Sequence, residues 1–294
     1  MINGHGIRMA ASSAREDPAW LKLSLITIAL MIVGLLIGVP VIHVFWQALS
    51  GGIKAYISNI FEDPANRDAI FTTLYVAPRA VFLNLLFGIS SAWLVSRFKF
   101  PGRTILLTLI DMPFAISPVV VGLGLVLLYG SSGLLGPSLA SVGIQVLFNS
   151  PALVLATTFV TLPFIVRELI PVMESIGPDE ELAALSLGAS GFQIFFRITL
   201  PSLTLGLLYG TILCTARAVG EFGAIYVVSG RIAGRGQTIP LRVEQLFQQY
   251  QTPADFALAS ILTVIALATL LARKIMQSLS NQRHATDQAK RIPA

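Results

Sequence analysis

Long uncharged stretches of apolar residues recur along the chain, and the runs at 23–48 and 256–272 are two of them. A helix needs about 17 to 25 mostly apolar residues to cross the hydrocarbon core of a bilayer. Both runs are therefore candidate spans, although the second only just reaches the required length. The stretch 104–166 carries only one charge, Asp111, and is too long for a single helix. Its "GSSGLLGP" at 130–137 divides it, because glycine and proline interrupt helices. The pattern predicts six spans, at about 23–47, 70–95, 104–129, 151–175, 199–228 and 255–275.

Composition indicates a multi-spanning membrane protein. Of the 294 residues, 54% are hydrophobic and 12% are charged, whereas about a quarter of a soluble domain is charged. The single cysteine, Cys214, rules out a disulfide framework, and the three histidines are too scattered to suggest a metal site. The first apolar run is longer than the core of a signal peptide, about 7–15 residues, and no clean cleavage site follows it. We therefore expect it to be retained as the first span.

The distribution of Lys and Arg predicts the orientation of the spans. With an internal N-terminus, twelve of the 20 basic residues fall in inner segments, five in outer segments and three inside spans. Because Lys and Arg collect on the cytoplasmic side, this count favours both termini in the cytoplasm. We expect cytoplasmic tails at 1–22 and 277–294 around a six-span domain at 23–276. The same bias accounts for the formal net charge of +5 without a nucleic-acid partner.

One segment, "PDEELAALSLGASGFQIFFRITLP" at 178–201, is predicted to lie between two spans on the cytoplasmic side. Pro178 suits a first helical position, and the acidic residues after it complement the positive end of the helix dipole. Gly188 permits the left-handed conformation that ends such a helix. A second helical piece is expected over 191–197, with Pro201 near the start of the fifth span. Its phenylalanines either bury against the bilayer and the spans or dock in a cleft of a soluble partner.

Several charged residues fall within the predicted spans. Arg217 and Glu221 are four residues apart on a helix, so they share a face and can pair. An unpaired charge in a span costs roughly 2.5–3.5 kcal/mol on insertion scales, so we expect a pair or contact with water. Arg217 could lie along the path of a dianion, or the pair could hold two spans together, and both interpretations stand. The remaining charges are taken as structural, namely Arg79, Asp111 and the pair Arg167–Glu168.

The third predicted span contains Pro113 and Pro118 within "PFAISPVVVGLG". Proline removes backbone hydrogen bonds, which a membrane tolerates only where neighbours or water satisfy the freed groups. Helices of this kind often line substrate paths, although kinks in tightly packed helices explain the prolines nearly as well.

The predicted outer loop 229–254 carries three cations, Arg231, Arg235 and Arg242, against one acid, Glu244. Such a loop could attract an anion electrostatically or dock a soluble protein. The residues alone do not separate these uses.

The chain has no phosphate-binding loop of the type G-x-x-x-x-G-K-[ST]. The nearest glycine-containing stretch, "GRGQT" at 234–238, lacks both the lysine and the helix pattern that should follow it. The chain is therefore not expected to bind ATP by itself, and we predict no enzymatic activity for it.

The cytoplasmic segment resembles the signature of the membrane subunits of ABC importers. The match lies in "AALSLGA" at 183–189 and "ITLP" at 198–201, in the same order and spacing. One departure exists, because Leu182 occupies the position of the signature glutamate and Glu181 precedes it. In that family the segment is a coupling helix that inserts into a groove of an ATP-hydrolysing subunit. We call residues 178–197 the coupling segment.

Three further stretches are similar to permeases for sulfate and thiosulfate. "ARAVGEFGA" at 216–224 looks like the fifth-span signature of oxyanion permeases. "TIPLRVEQLFQQYQTPADFALAS" at 238–260 is similar to the W-type subunit of the sulfate/thiosulfate system, and less to its T-type sibling. "DMPFAISPVVVGLGLVLLYG" at 111–130 looks like the third span of the same W-type subunit. The resemblance covers about residues 20 to 276.

This resemblance implies an all-α membrane protein with the six-helix permease fold of type I ABC importers, in a bacterial plasma membrane. The implied partners are a T-type permease subunit, two ATPases that carry ATP and Mg, and a periplasmic or extracellular sulfate-binding protein. The chain itself would hold no cofactor or metal. The residues expected to couple to the ATPase are Glu181, Ala183, Ala184, Gly188, Phe192, Phe195 and Phe196. The path is expected at Arg217, Glu221, Pro113 and Pro118, and binding-protein docking at Arg231, Arg235 and Arg242.

Two other functions remain open at this point. "GEFGA" at 220–224 does not separate tetrahedral oxyanions, so a molybdate or tungstate permease subunit is an alternative. An ion-coupled secondary transporter, with Arg217 and Glu221 as its relay, is a less favoured one. Dependence on a partner ATPase would separate the two classes.

Overall fold

The computed structural model describes residues 18–230 and 236–290, with side chains up to residue 278. Within these ranges the regular structure is helical, and no strand is present. The helices are α1 (Ala19–Ala48), α2 (Gly52–Phe61), α3 (Pro64–Arg97), α4 (Arg103–Ala115), α5 (Pro118–Tyr129), α6 (Gly136–Ser141), α7 (Ser150–Ile176), α8 (Asp179–Ser186), α9 (Gly191–Ser202), α10 (Thr204–Val219), α11 (Gly223–Val228), α12 (Ile239–Gln248) and α13 (Thr252–Lys290).

Four of these helices, α1, α3, α7 and α13, are long and apolar enough to cross a membrane. Two bent pairs also qualify, with α4 and α5 meeting at 112° and α9 and α10 at 66°. The described residues therefore contain six candidate spans if each bent pair counts as one. The prediction of one span over 199–228 is wrong, because the pair starts at Gly191, α10 ends at Val219, and α11 is separate.

The chain divides into two compact units within the first helix, between His43 and Val44. Helix α1 contains a π-helical turn at Gly34–Gly38. Its mean hydropathy over 18 residues is 2.8, which agrees with the prediction of a first span.

Side-chain contacts establish which helix ends lie together in the second unit. The Arg97 guanidinium at the end of α3 donates to the Gly177 carbonyl just after α7, so both helices finish at the same end of the bundle. The chain between α3 and α7 must therefore cross the bundle once. We call this end, which carries the coupling segment, the coupling end. The Tyr209 hydroxyl, near the start of α10, donates to the Arg273 carbonyl, so this part of α13 also lies near the coupling end.

Small residues let the central helices approach closely. A Cβ at Gly88 in α3 would lie 2.6 Å from Cγ2 of Ile165 in α7, and one at Gly210 in α10 would lie 3.3 Å from the Ile165 Cα. Such close backbone packing drives helix association where lipid offers little hydrophobic gain. The interface also holds a buried amide, because Asn84 Nδ2 donates to Thr161 Oγ1 at 2.7 Å. Helices α3, α7 and α10 thus form the rigid centre of the bundle.

Helix α11 packs against the second half of the third span beside this centre. Helix α11 contacts α5, and a Cβ at Gly122 would lie only 2.8 Å from the Ala224 carbonyl oxygen. Ile225 and Val228 of α11 are fully buried with Leu153 of α7. The breaks at 116–117 and 220–222 are therefore neighbouring parts of one packed layer.

Candidate coupling segment and anion path

The coupling segment folds as two short helices joined by a glycine turn. Helix α8 begins at Asp179, one residue later than predicted, and its first turn carries the three acidic residues that the helix dipole favours. Gly188 ends it with φ = +83°, as predicted, a conformation that side chains other than glycine or asparagine rarely adopt. Ser190 then caps α9 reciprocally with Gln193. The second piece does not stop at 197, since α9 continues to Ser202.

Glu181 faces the bundle and not the solvent. Its carboxylate pairs with the Arg97 guanidinium through Nε–Oε2 at 2.9 Å and Nη2–Oε1 at 3.1 Å. Oε1 also accepts from the Thr199 hydroxyl at 2.9 Å. Glu181 was expected to take the place of the signature glutamate toward the ATPase, but in this structure its carboxylate is already occupied within the chain.

The exposed face of the coupling segment is apolar. Leu182 is 55% exposed, Leu187 89% and Phe192 74%. Phe196 is also exposed, and its ring lies 4.4 Å from that of Phe192. Large apolar side chains in such a cluster mark an interaction surface. We call the exposed set the apolar patch, which comprises Leu182, Leu185, Leu187, Phe192 and Phe196.

The three predicted coupling phenylalanines do not share one role. Phe195 is half-buried and packs edge-on against Trp93 of α3, with the ring centroids 5.9 Å apart. Trp93 packs in turn against Phe98. Phe195 therefore anchors the segment to the bundle, which leaves Phe192 and Phe196 for a partner. Of the predicted small residues, Ala183 and Gly188 are exposed and Ala184 is half-buried.

Arg217 and Glu221 form the predicted ion pair, with Nη1 and Oε2 2.7 Å apart. They do not share a helix, because α10 ends at Val219 and Glu221 lies in the break. The second carboxylate oxygen of Glu221 accepts from the Ala224 amide at 3.0 Å and so caps α11. Glu221 is fully buried, whereas about a third of the Arg217 side chain is exposed. The pair thus presents a partly neutralised cation at the surface of a break between helices.

The predicted prolines lie on either side of the break in the third span. Pro113 is buried within α4, and Pro118 is the first residue of α5. At this position the missing amide hydrogen of proline breaks no helical hydrogen bond. Pro118 contacts α11 closely, since a Cβ at Gly223 would lie 3.0 Å from the Pro118 Cβ. Pro118 therefore lies beside the break that contains Glu221, whereas no such contact joins Pro113 to the ion pair among the described residues.

Arg167 pairs with Asp111 and not with its neighbour Glu168. The distance from Arg167 Nε to Asp111 Oδ1 is 2.8 Å, and the guanidinium also lies 4.7 Å from the centre of the Phe114 ring. Both charged side chains are about half exposed. Arg79 similarly lies 3.5 Å from the centre of the Tyr75 ring and donates to the Tyr75 carbonyl.

Arg242 does not lie on an exposed loop. It belongs to α12 and is buried. Its guanidinium donates to Asn66 Oδ1 at 2.7 Å, to Asp63 Oδ2 at 2.6 Å and to Gln245. The interpretation of Arg242 as a docking cation is therefore wrong, because its hydrogen bonds fasten α12 to the start of α3. The other two predicted docking residues, Arg231 and Arg235, lie outside the described residues.

Sequence reasoning missed Arg97 as a candidate site residue. The sequence shows it only as one more basic residue on the cytoplasmic side, whereas the structure shows four hydrogen bonds from its guanidinium. Its partner Glu181 is 84 positions away, so no local pattern signals the pair.

Curated relatives cover nearly the whole chain. A sulfate transport system permease protein CysW from Escherichia coli (strain K12) is 48% identical over 92% of this chain and 92% of its own length. The CysW protein of Synechococcus elongatus is 46% identical over 94% of this chain and 96% of its own. A CysT protein from Salmonella typhimurium is 35% identical over 94% and 98% of the two chains.

Solved structures show the same fold. One chain of a bacterial alginate ABC transporter matches this chain with a TM-score of 0.72. That transporter was solved in complex with a periplasmic protein that binds an alginate pentasaccharide. The match covers 90% of this chain and 94% of that one, at 18% identity. Residues 84–285 match the family model described as binding-protein-dependent transport system inner membrane component. With its all-α fold and bent spans, the chain belongs to this family of ABC importer permeases.

Proposed function

We propose that the chain is the W-type permease subunit of an ATP-driven importer for sulfate and thiosulfate. The observation that carries the proposal is 48% identity to a sulfate transport system permease protein over 92% of both chains. This similarity favours sulfate over molybdate or tungstate, and the ABC importer family favours ATP over ion coupling. The chain would act in a bacterial inner membrane, with both termini in the cytoplasm.

The proposed complex has separate parts for binding, passage and energy. A T-type subunit would pair with this chain to enclose the path, and the 35% identity to CysT proteins means that such a subunit could share its fold. Two ATPases would hold ATP and Mg and carry out hydrolysis. A soluble sulfate-binding protein would deliver the anion from outside.

The apolar patch on the coupling segment is the proposed contact with one ATPase. Leucine and phenylalanine side chains that stand out from two short helices suit a hydrophobic groove. When ATP closes the two ATPases, the coupling segments of the two permease subunits would move together. That movement would switch the path from inward-open to outward-open.

The break at 220–222, which contains Glu221 and lies next to Arg217, is the proposed position of the anion path. A free arginine would bind a dianion strongly, and slow release would limit transport. Glu221 is fully buried and neutralises part of that charge, while the exposed part of Arg217 stays available to the anion. The helix breaks at 116–117 and 220–222 support this position, because discontinuous helices often line the substrate paths of transporters.

Uptake of radiolabelled sulfate tests the proposed function. Cells that lack only this chain should not accumulate sulfate, and restoring the chain should restore uptake, with unlabelled thiosulfate as a competitor. Restored molybdate accumulation without sulfate uptake would contradict the proposed substrate. Uptake that persists without the partner ATPases would contradict the proposed energy source.

Arg231 and Arg235 remain proposed docking residues for the binding protein. Reversing both to Glu should weaken the affinity of the binding protein for the complex, because a basic loop attracts a complementary acidic surface. Unchanged affinity would contradict the proposal.

A further inference from the structure

We propose that Arg97 and Glu181 act together as positioning residues, which transmit movement between the coupling segment and the spans. This inference rests on the proposed function. Arg97 is the last residue of α3, and Glu181 lies in the first turn of α8. Their side chains are only 11% and 18% exposed, so the pair is largely shielded from water and salt.

The Arg97 guanidinium joins three helix ends. Besides Glu181, it donates to the Met173 carbonyl at 3.0 Å and to the Gly177 carbonyl at 2.8 Å. The Gly177 carbonyl lies beyond the last residue of α7 and has no partner within the helix, so Arg97 supplies its donor. The Met173 carbonyl accepts from Arg97 in addition to the Gly177 amide. The planar guanidinium has five donors in a fixed arrangement, which holds several acceptors in one geometry.

Glu181 extends the link to the next span. Its Oε1 accepts from Arg97 and from the Thr199 hydroxyl, and Thr199 lies within α9. One carboxylate therefore connects the coupling helix α8 to α3 on one side and to the start of the fifth span on the other. Charge-assisted hydrogen bonds of this kind are stronger than neutral ones.

An aromatic contact also joins the coupling segment to α3. Phe195 of the coupling segment packs on Trp93, one turn before Arg97 on α3. The polar and aromatic contacts together fix both halves of the coupling segment to the last turn of α3. The neighbouring Leu182, which takes the position of the signature glutamate, points away from this link and is 55% exposed.

These contacts give Glu181 and the apolar patch different tasks. The patch faces a partner, whereas Glu181 faces the bundle, because successive residues on a helix point about 100° apart. Force applied by an ATPase to the patch would reach α3 and α7 through Arg97. If this link were loosened, ATP hydrolysis would continue while fewer cycles would move the spans.

The test measures ATP hydrolysed per sulfate imported, in proteoliposomes that contain the complete complex and the binding protein. Arg97→Gln and Glu181→Gln should each raise this ratio about tenfold, as expected for the loss of charge-assisted hydrogen bonds. The double variant should be no worse than either single variant, because both remove the same link. Glu174→Gln is the matched control, since its pair with Arg103 at 3.2 Å is about half exposed at both ends. It should change the ratio less than about twofold.

Assembly of each variant complex is checked by size-exclusion chromatography and thermal unfolding. If the Arg97→Gln complex does not assemble, the ratio measured for Glu181→Gln is sufficient to test the inference. This variant should assemble, because glutamine keeps the side-chain volume and an acceptor for the Thr199 hydroxyl. A Glu181→Gln complex with the wild-type ratio would overturn the inference, and so would uptake and hydrolysis that fall in equal proportion. A wild-type complex that imports no sulfate would refute the proposed function, which is a separate result.

Discussion

Replacing Glu221 with glutamine should loosen the break between α10 and α11 while keeping a side chain of the same size there. The amide has the size of the carboxylate, and its oxygen can still accept from the Ala224 amide, which lies 3.0 Å from Glu221 Oε1. Its NH₂ group would then face the Arg217 guanidinium, donor against donor, where the structure now has a contact of 2.7 Å. Only the ion pair is lost.

The size of this loss follows from burial. Removing one partner of a fully buried pair destabilises a protein by about 3–5 kcal/mol, because the other charge is left without a partner. Arg217 is about one-third exposed and can reach water, so we expect about 2 kcal/mol for Glu221→Gln. Glu221→Ala also removes the cap of α11, which adds about 1 kcal/mol.

Thermal unfolding of the purified complex, together with sulfate uptake, provides the assay. A change of 1 kcal/mol shifts the melting temperature of a chain of 150–250 residues by about 2–4 °C, so Glu221→Gln should lower it by roughly 4–8 °C. Uptake should saturate at lower sulfate concentration and at a lower maximal rate, since an unpaired Arg217 holds the dianion longer. The exposed control Glu174→Gln should leave the melting temperature within about 1 °C of wild type. A Glu221→Gln complex as stable as the control would refute the structural reasoning, and an unchanged concentration dependence would refute the position of the path.

Three further substitutions test other features. Gly188→Pro should abolish transport-coupled ATP hydrolysis but not membrane insertion, because the proline ring fixes φ near −65° where this turn needs +83°. The control Gly188→Asn should retain activity. Normal substrate-stimulated hydrolysis in the proline variant would contradict the importance of this turn for coupling. Arg242→Gln should destabilise the complex by about 2–3 kcal/mol in thermal unfolding, since it leaves the buried Asn66 oxygen without its donor. Its control is Arg67→Gln, at an exposed site, which should have little effect on the melting temperature. Gly122→Val should cost about 1–3 kcal/mol through overpacking against the Ala224 carbonyl, whereas a variant as stable as wild type would show that α5 and α11 are loosely packed.

Hydropathy predicted where the chain is apolar enough to cross a membrane, but not where a helix bends. The long apolar runs became α1, α3, α7 and α13. Their ends lie within about six residues of those predicted, except that α13 continues from the expected end at 275 to Lys290. The third and fifth spans differ, because a bend changes the direction of a helix and leaves its composition unchanged. Pro118 is the local signal for the bend in the third span, whereas the bend in the fifth span lies between Ser202 and Thr204. Gly220 and Gly223 mark the separate break between α10 and α11, which the i,i+4 spacing of Arg217 and Glu221 concealed.

The candidate site was predictable only where its parts are local in sequence. The turn at Gly188, the acidic first turn of α8 and the Arg217–Glu221 pair depend on residues within a few positions of one another, and the structure contains all three. The partners of Arg97 and Arg242 are 84 and 179 positions away. Whether an arginine lies on a surface or holds two helices together depends on such distant contacts, which a single sequence does not record.

The packing of α5 against α11 has a consequence for the synthesis of the chain. Helix α5 has 12 residues and α11 has six, so at 1.5 Å per residue they reach about 18 Å and 9 Å, against a hydrocarbon core of about 30 Å. Neither half-helix can cross the core by itself, so α5 depends on α4, with which it forms the bent third span. The face of α5 around Gly122 has no partner until the ribosome has delivered residues 223–228. We therefore expect the third span to reach its final packing only after most of the fifth span has been made.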